Sequence, residues 1–201
     1  MKKAYIIIFC SAYLLYSCRP VLMKYYGIKK PKIENEFSLI KKANRFGLDT
    51  NNICSINSVD YLSILNGQGF PDAKIYDKHG NYIEYKSNDS DCNAGLFEFI
   101  PNLNKNTEYK TSTYPNFFEE YAKYRDLKGN ELIKSNSADF YLVIYWTAWI
   151  GRLNKNHVKV WEDLAKENKN CKIEVLKLNL DIQDYWDKEE TKKIIKVFNK
   201  S

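Results

Sequence analysis

The order of apolar and polar positions predicts two blocks of regular structure separated by a polar stretch. In the first block, apolar residues spaced three and four apart alternate with short runs of β-branched or aromatic residues, which indicates helices mixed with strands. Its helices are predicted at 34–46, 59–65 and 93–103, and its strands at 52–56, 73–76 and 82–85. Residues 104–116 form a polar connection, and one or two helical turns are predicted over 117–124.

Short-range signals predict where several of these elements begin and end. Gly47 is a suitable C-terminal stop for the first helix, and Ser58 is the expected N-terminal cap of the second. Gly80 offers a positive-φ position between the strands at 73–76 and 82–85. These two strands therefore form the clearest hairpin in the chain.

The second block begins at Asp139 and alternates strand with helix. Residues 140–145 form a continuous apolar run, as expected of a central strand that is buried on both faces. A helix, a strand over 172–180 and a final helix follow, and Asp187 with Glu190 gives that last helix a capping-box-like start. This order predicts two parallel strands joined by a right-handed crossover.

The N-terminus has the pattern of a targeting segment. Lys2 and Lys3 precede an apolar run over residues 4–16, which ends at a polar and Pro-containing stretch. The run is shorter than the roughly 20 residues that a transmembrane helix needs. We therefore expect residues 1–17 to be a cleaved signal peptide.

The residues around the expected cleavage point, Leu15-Tyr16-Ser17-Cys18, resemble a bacterial lipobox. The resemblance implies a lipoprotein of the bacterial cell envelope that is held to a membrane by lipid on Cys18. No acidic residue occurs in 19–24, so we expect retention on the periplasmic side. An ordinary secretory signal, or an uncleaved signal anchor with an incidental Cys18, is the alternative.

The length of the remaining chain favours one domain. We predict a tether at 18–33 and a single α/β domain at 34–201, with two smaller units at 21–104 and 139–201 as the alternative. The chain is 44% hydrophobic with only 8 Gly and 5 Pro, which is typical of a globular protein. The net charge of +6 comes from interspersed bases and acids, so it indicates an anionic partner only weakly and does not predict nucleic-acid binding.

Three cysteines remain after Cys10 leaves with the signal and Cys18 is acylated. They are Cys54, Cys92 and Cys171, whose spacing matches no zinc motif. We therefore expect no metal site and no cofactor. A bridge between Cys54 and Cys92 is possible, and a structural disulfide or two buried thiols is the other interpretation.

The start of the second block resembles the first βαβ unit of thioredoxin-like proteins, in particular the envelope redoxins. There a buried strand runs into a Trp-x-x-Trp-Cys-x-x-Cys turn, and here Trp146 and Trp149 hold the two tryptophan positions. Ile150 and Leu153 stand in place of the two cysteines, and neither can form a thiolate. The resemblance thus implies a redoxin without its dithiol, although both tryptophans could also be core residues of any α/β protein.

A second stretch is similar to another part of thioredoxin, in which a cis-proline introduces the third core strand. Pro71 precedes the predicted hairpin, and 93–103 would then be the closing helix. These elements normally follow the βαβ unit but precede it here. The resemblance therefore implies a mixed sheet flanked by helices with a permuted element order, or two degenerate units, and Pro71 could also be an ordinary trans proline.

The sequence favours a binding module over an enzyme. We expect the former redox surface, formed by Trp146, Trp149, Ile150, Leu153 and Pro71, to bind an unidentified envelope protein or peptide. The enzyme alternative is a thiol oxidoreductase or peroxidase-like protein that uses Cys92, with Cys54. A purely structural lipoprotein is a third possibility.

Overall fold

In the computed structural model, residues 20–67, 69–86, 93–113, 115–133 and 137–200 are described. They form an α/β fold in which a mixed, seven-stranded sheet is flanked by helices. This confirms the predicted fold class at the level of an α/β protein with a mixed sheet. The predicted signal peptide at 1–17, with Cys18, lies outside the described residues.

The longer elements follow the two predicted blocks, whereas four of the two-residue strands were not predicted. The strands are β1 (Ile33–Glu34), β2 (Ile53–Ile56), β3 (Asp72–Asp77), β4 (Tyr82–Ile83), β5 (Thr111–Ser112), β6 (Tyr124–Arg125), β7 (Phe140–Trp146), β8 (Ile173–Asn179) and β9 (Ile182–Gln183). The helices are α1 (Glu36–Phe46), α2 (Ser58–Asn66), α3 (Leu96–Asn102), α4 (Phe117–Tyr121), α5 (Lys159–Glu167) and α6 (Lys188–Lys200). Short 3-10 turns cover Asn93–Gly95 and Ala148–Ile150, and a π-helical turn covers Asn154–Val158.

The main sheet has the strand order β5-β4-β3-β7-β8-β2-β6, so β7 lies at its centre. β7 and β8 are parallel, as the strand–helix–strand order predicted. On the other side of β7, β3 is antiparallel, with Asp72 opposite Tyr145, and β3 and β4 form the predicted hairpin. Strands from both sequence blocks therefore lie in one sheet.

All seven residues of β7 are buried, because the sheet is covered on both faces. Leu142, Ile144 and Trp146 pack in one apolar cluster, whereas Val143 and Tyr145 pack in a second. This split follows the alternation of side chains along a strand. The prediction of a central strand from the apolar run is confirmed.

A buried ion pair joins the sheet to the helix layer. Lys177 Nζ on β8 donates to Glu162 Oε1 on α5 at 2.9 Å, and both side chains are almost completely excluded from solvent. Glu162 Oε2 also accepts the backbone N–H of Asp49 at 3.1 Å, which fixes the turn after α1. These bonds compensate part of the cost of burying the two charges.

The structure confirms the predicted roles of Gly47 and Gly80, whereas the predicted cap Ser58 is wrong. Gly47 ends α1 with φ of 78°, and Gly80 takes φ of 84° in the hairpin turn. The cap of α2 is Asn57 rather than Ser58, because Asn57 has extended backbone and its side chain accepts the N–H of Asp60 at 2.9 Å. Ser58 is already the first helical residue.

Across the described ranges, none of the helices combines the length and the apolar character needed to cross a bilayer.

Candidate functional site

The strand β7 leads directly into the tryptophan loop, which we define as residues 146–153. After Trp146 the chain forms the 3-10 turn Ala148–Ile150 and then passes through Gly151, whose φ is 62°. Asn154 Nδ2 donates to the carbonyl of Thr147 at 2.8 Å and closes the loop on itself. The loop is thus fixed at the end of the central strand.

The N-terminal segment, residues 20–32, packs against this loop. It is helical from 20 to 26, and two backbone bonds hold it in place. Arg152 N–H donates to Tyr26 O at 2.7 Å, and Lys29 N–H donates to Trp149 O at 2.8 Å. A β-carbon on Gly151 would lie 2.2 Å from Tyr26 O, so only glycine allows this approach.

Pro71 lies beside the same loop. The Phe70–Pro71 peptide bond is cis, which decides between the two isomers that the sequence left open. The proline directly precedes β3, and the Phe70 ring packs against the Trp149 ring with centroids 5.9 Å apart. The structure therefore brings the segment before β3 and the tryptophan loop together.

The loop residues differ in how far they reach solvent. Trp149, Leu153 and Pro71 are half-buried, whereas Trp146 is completely buried and Ile150 is only 2% exposed. Trp146 belongs to the core, as in the alternative interpretation of the tryptophans. The contact surface predicted at the loop is therefore not presented by Trp146 or Ile150.

The described cysteines are poorly suited to nucleophilic chemistry. Cys54 is a free, buried thiol on β2, and burial raises its pKa to about 12. Cys171 is also free, and burial raises its pKa to about 11. Few thiolates form at neutral pH at such values. Cys92 lies outside the described residues, and Cys54, its possible bridge partner, is a free thiol in this structure.

A pocket of about 450 Å³ opens between the N-terminal segment, α1 and the tryptophan loop. Its aromatic lining comes from Tyr25, Tyr26, Phe46 and Trp149. Its basic lining consists of Lys24, Lys29, Lys30, Lys32, Lys42, Arg45, Arg152 and Lys155. The one acidic residue in the lining, Glu34, forms an ion pair with Lys42.

The remaining seven cations of the pocket make no ion pair within the described part of the chain. Such a concentration of one charge attracts anions and repels cations. Sequence reasoning missed this cluster, because its members come from three separate stretches. The signal that could have found it is the N-terminal segment, which has four lysines and no acid.

A buried carboxyl group lies beneath the loop. Asp181 Oδ2 accepts the N–H of Ala148 at 2.6 Å and Asn179 Nδ2 at 2.8 Å. Burial raises the pKa of Asp181 to about 7, against the lowering effect of these hydrogen bonds, and the carboxylate of Glu34 raises it further. The group therefore changes protonation state near neutral pH.

Several buried polar atoms near Asp181 have no hydrogen-bond partner among the described residues. They are Thr147 Oγ1, Trp149 Nε1, Asn154 Oδ1, Asp181 Oδ1 and Gln183 Oε1. An unsatisfied buried group costs about 1–3 kcal/mol. Their concentration around the loop marks this end of β7 as a candidate functional site.

Within the described ranges, no three His, Cys, Asp or Glu side chains come together so that they could hold an ion.

No protein-family model, curated protein or solved structure matches this chain. The interpretation of the site therefore depends on its own residues.

Replacing Gly151 with Ala should detach the N-terminal segment from the loop. The new β-carbon would clash with Tyr26 O, and φ of 62° is unfavourable for an L-residue by about 1–2 kcal/mol. In hydrogen exchange of the full chain, protection of the Lys29 and Arg152 amides should fall at least about tenfold. Gly69→Ala is the control, because nothing lies within 4 Å of its added β-carbon. Unchanged protection in Gly151→Ala would contradict the packing described.

Replacing Asp181 with Asn should flatten the pH dependence of stability. Between the ordinary pKa of 3.8 and the raised value of about 7, the folded protein keeps a proton that the unfolded chain has lost. The stabilisation from this proton is therefore fully present below about pH 4 and is lost as the pH rises through 7. The loss lowers the free energy of unfolding by about 4 kcal/mol.

Urea unfolding of the full chain across this range measures the effect as the free energy of unfolding. The difference between wild type and Asp181→Asn should shift in favour of the variant as the pH rises. Asp184→Asn, at an exposed carboxyl group in the next turn, serves as the control. The same pH slope in wild type and Asp181→Asn would show that Asp181 titrates normally.

Proposed function

We propose that this chain is a thioredoxin-like lipoprotein of the cell envelope that has lost dithiol chemistry and binds an acidic segment of a protein or peptide. The observation that carries the proposal is the cation-lined pocket beside the tryptophan loop. Lipid on Cys18 would hold the module to a membrane, facing the periplasm.

The sheet supports a thioredoxin-like scaffold with permuted element order. Such a permutation requires the hairpin that follows the cis-proline to lie beside the strand that precedes the tryptophan loop. β3 is paired antiparallel with β7 along its whole length, and α3 follows the hairpin. The strand β8 then takes the other side of β7, in parallel.

The loop chemistry supports binding over thiol exchange. Ile150 and Leu153 occupy the positions where the resemblance would place two cysteines, and neither side chain can attack or resolve a disulfide. Cys54 does not replace them, because its thiol is buried in β2 and its raised pKa disfavours the thiolate. The enzyme alternative thus depends on Cys92 alone.

The pocket lining supports an acidic partner. Arg152 lines the pocket from the tryptophan loop, Lys155 from the π-helical turn and Arg45 from the last turn of α1, so the positive charge comes from separate elements. Carboxylates form strong, charge-assisted hydrogen bonds with such groups.

The aromatic lining favours a peptide over a small inorganic anion. Tyr25, Phe46 and Trp149 contribute apolar surface among the cations. Aromatic residues and arginine are the types that protein–protein interfaces concentrate at their centres. A peptide can satisfy both kinds of surface, since it presents carboxylates and carbon chains together.

Charge reversal at Lys155 should weaken binding of an acidic peptide by about tenfold or more, which corresponds to about 1.4 kcal/mol. The probe is a hexaglutamate peptide with blocked ends, titrated into the full chain by calorimetry. Lys169→Glu is the matched control, because it makes the same charge change at an exposed site away from the pocket. Affinity should also fall with added salt.

Two results would contradict this proposal. One is a lack of hexaglutamate binding to the wild-type chain at low salt. The other is an equal loss of affinity in Lys155→Glu and Lys169→Glu, because net charge rather than the pocket would then control binding. Hexaglutamine with blocked ends tests whether the carboxylates are required.

A further inference from the structure

The helical part of the N-terminal segment exposes a group of apolar side chains, of which Tyr25 also lines the acidic-peptide pocket. Val21 is 66% exposed, Leu22 53% and Tyr25 62%. At about 100° of rotation per helical residue, these three positions fall within one face of the helix. We call them the apolar face.

This helix has a fixed attachment to the protein, so its apolar face is a defined surface. Its C-terminal end is held by the bond from Arg152 N–H to Tyr26 O, and Gly27 turns the chain back with φ of 69°. Tyr25 is supported by the Tyr26 ring at 5.1 Å and by the Arg152 guanidinium at 5.8 Å. Most of the surface of Val21 and Leu22 remains open to solvent.

Several positively charged residues accompany the apolar face in the N-terminal segment and in the neighbouring loop. The N-terminal segment contains Lys24, Lys29, Lys30 and Lys32 and no acidic residue. Lys24 lies within the helix itself, and Arg152 and Lys155 of the neighbouring loop and π-turn are exposed as well. A short segment that combines a helical apolar face with several lysines is the pattern of a segment that lies in the interface of an anionic bilayer.

We propose that the apolar face is a membrane-binding surface, in which Val21, Leu22 and Tyr25 enter the interface of a bilayer that contains anionic phospholipid. The nearby lysines and arginine contact the headgroup phosphates. The aromatic ring of Tyr25 suits the boundary between headgroups and acyl chains, where tyrosine is enriched. This contact is additional to any lipid on Cys18, and it shares Tyr25 and the nearby cations with the acidic-peptide site.

A bilayer fits this surface better than another protein does. Three side chains are far too few for the roughly 800 Å² per partner that a stable protein interface buries. A second copy of this chain would also bring two groups of lysines together, which opposes association. An anionic lipid surface has neither disadvantage, because it is extended and of opposite charge.

Tryptophan reporters in the full chain test the proposal. Leu22→Trp places an indole on the apolar face, and Val59→Trp places one at an 83% exposed position on α2 as the control. Each variant is bound to vesicles of phosphatidylcholine with phosphatidylglycerol, or of phosphatidylcholine alone, and quenched by lipids brominated in the acyl chains. The two variants share every other attachment to the vesicle and differ in the position of the added indole. The comparison with phosphatidylcholine alone separates contact of the charged surface from attachment through Cys18.

On the phosphatidylglycerol vesicles, the added emission of Leu22→Trp should fall at least about twofold, whereas that of Val59→Trp should not change. Quenching of Leu22→Trp should be weaker on phosphatidylcholine alone. Equal quenching at the two positions would overturn the proposal, and so would equal quenching of Leu22→Trp on both kinds of vesicle. Concentration-dependent dimerisation that Leu22→Ser abolishes would assign the face to a second copy instead.

Discussion

The close contact of Gly151 with the backbone of Tyr26 and Gly27 holds the N-terminal segment on the tryptophan loop. A β-carbon at residue 151 would overlap Tyr26 O, so the approach depends on a glycine with positive φ. The hydrogen bonds of Arg152 and Lys29 form only at this distance. The segment then supplies one wall of the basic pocket and fixes the direction of the apolar face.

The packed N-terminal segment forms one wall of a charged pocket at the end of the central strand. Ile150 is covered, and the surface that remains open is defined by lysines, arginines and aromatic rings. Beneath it, Asp181 anchors the loop through the N–H of Ala148 and is close to half-protonated at neutral pH. Anion binding and the protonation of Asp181 are therefore expected to influence each other through the loop backbone.

Sequence patterns predicted the scaffold well because they are local. The apolar run of β7, the hairpin around Gly80 and the end of α1 at Gly47 each follow from neighbouring residues, and all three are present. The cap of α2 was misassigned by one residue, since Asn57 and Ser58 are both good cap formers and only the backbone conformation distinguishes them.

The candidate site could not be predicted in the same way, because it is built from contacts between distant residues. The four lysines of residues 20–32 have no acid among them, but Arg45, Arg152 and Lys155 come from other stretches of the sequence. Only the fold brings these cations into one pocket, in which Lys42 pairs with Glu34 and leaves Arg45 and Lys155 unopposed. The packing of residues 20–32 on the loop also had no local signal. Gly151 can be read from the sequence, but the backbone that it contacts, at Tyr26, lies more than a hundred residues earlier in the chain.

A thiol titration of the full chain tests the central claim, the absence of dithiol chemistry, most directly. The chain is equilibrated across glutathione redox buffers, unfolded under acid and its free thiols counted. No pair of thiols should titrate as a disulfide with a potential between about −120 and −270 mV, the range of thiol oxidoreductases. A reducible pair in that range, above all one that includes Cys92, would mean that the protein retains dithiol chemistry and would favour an enzyme.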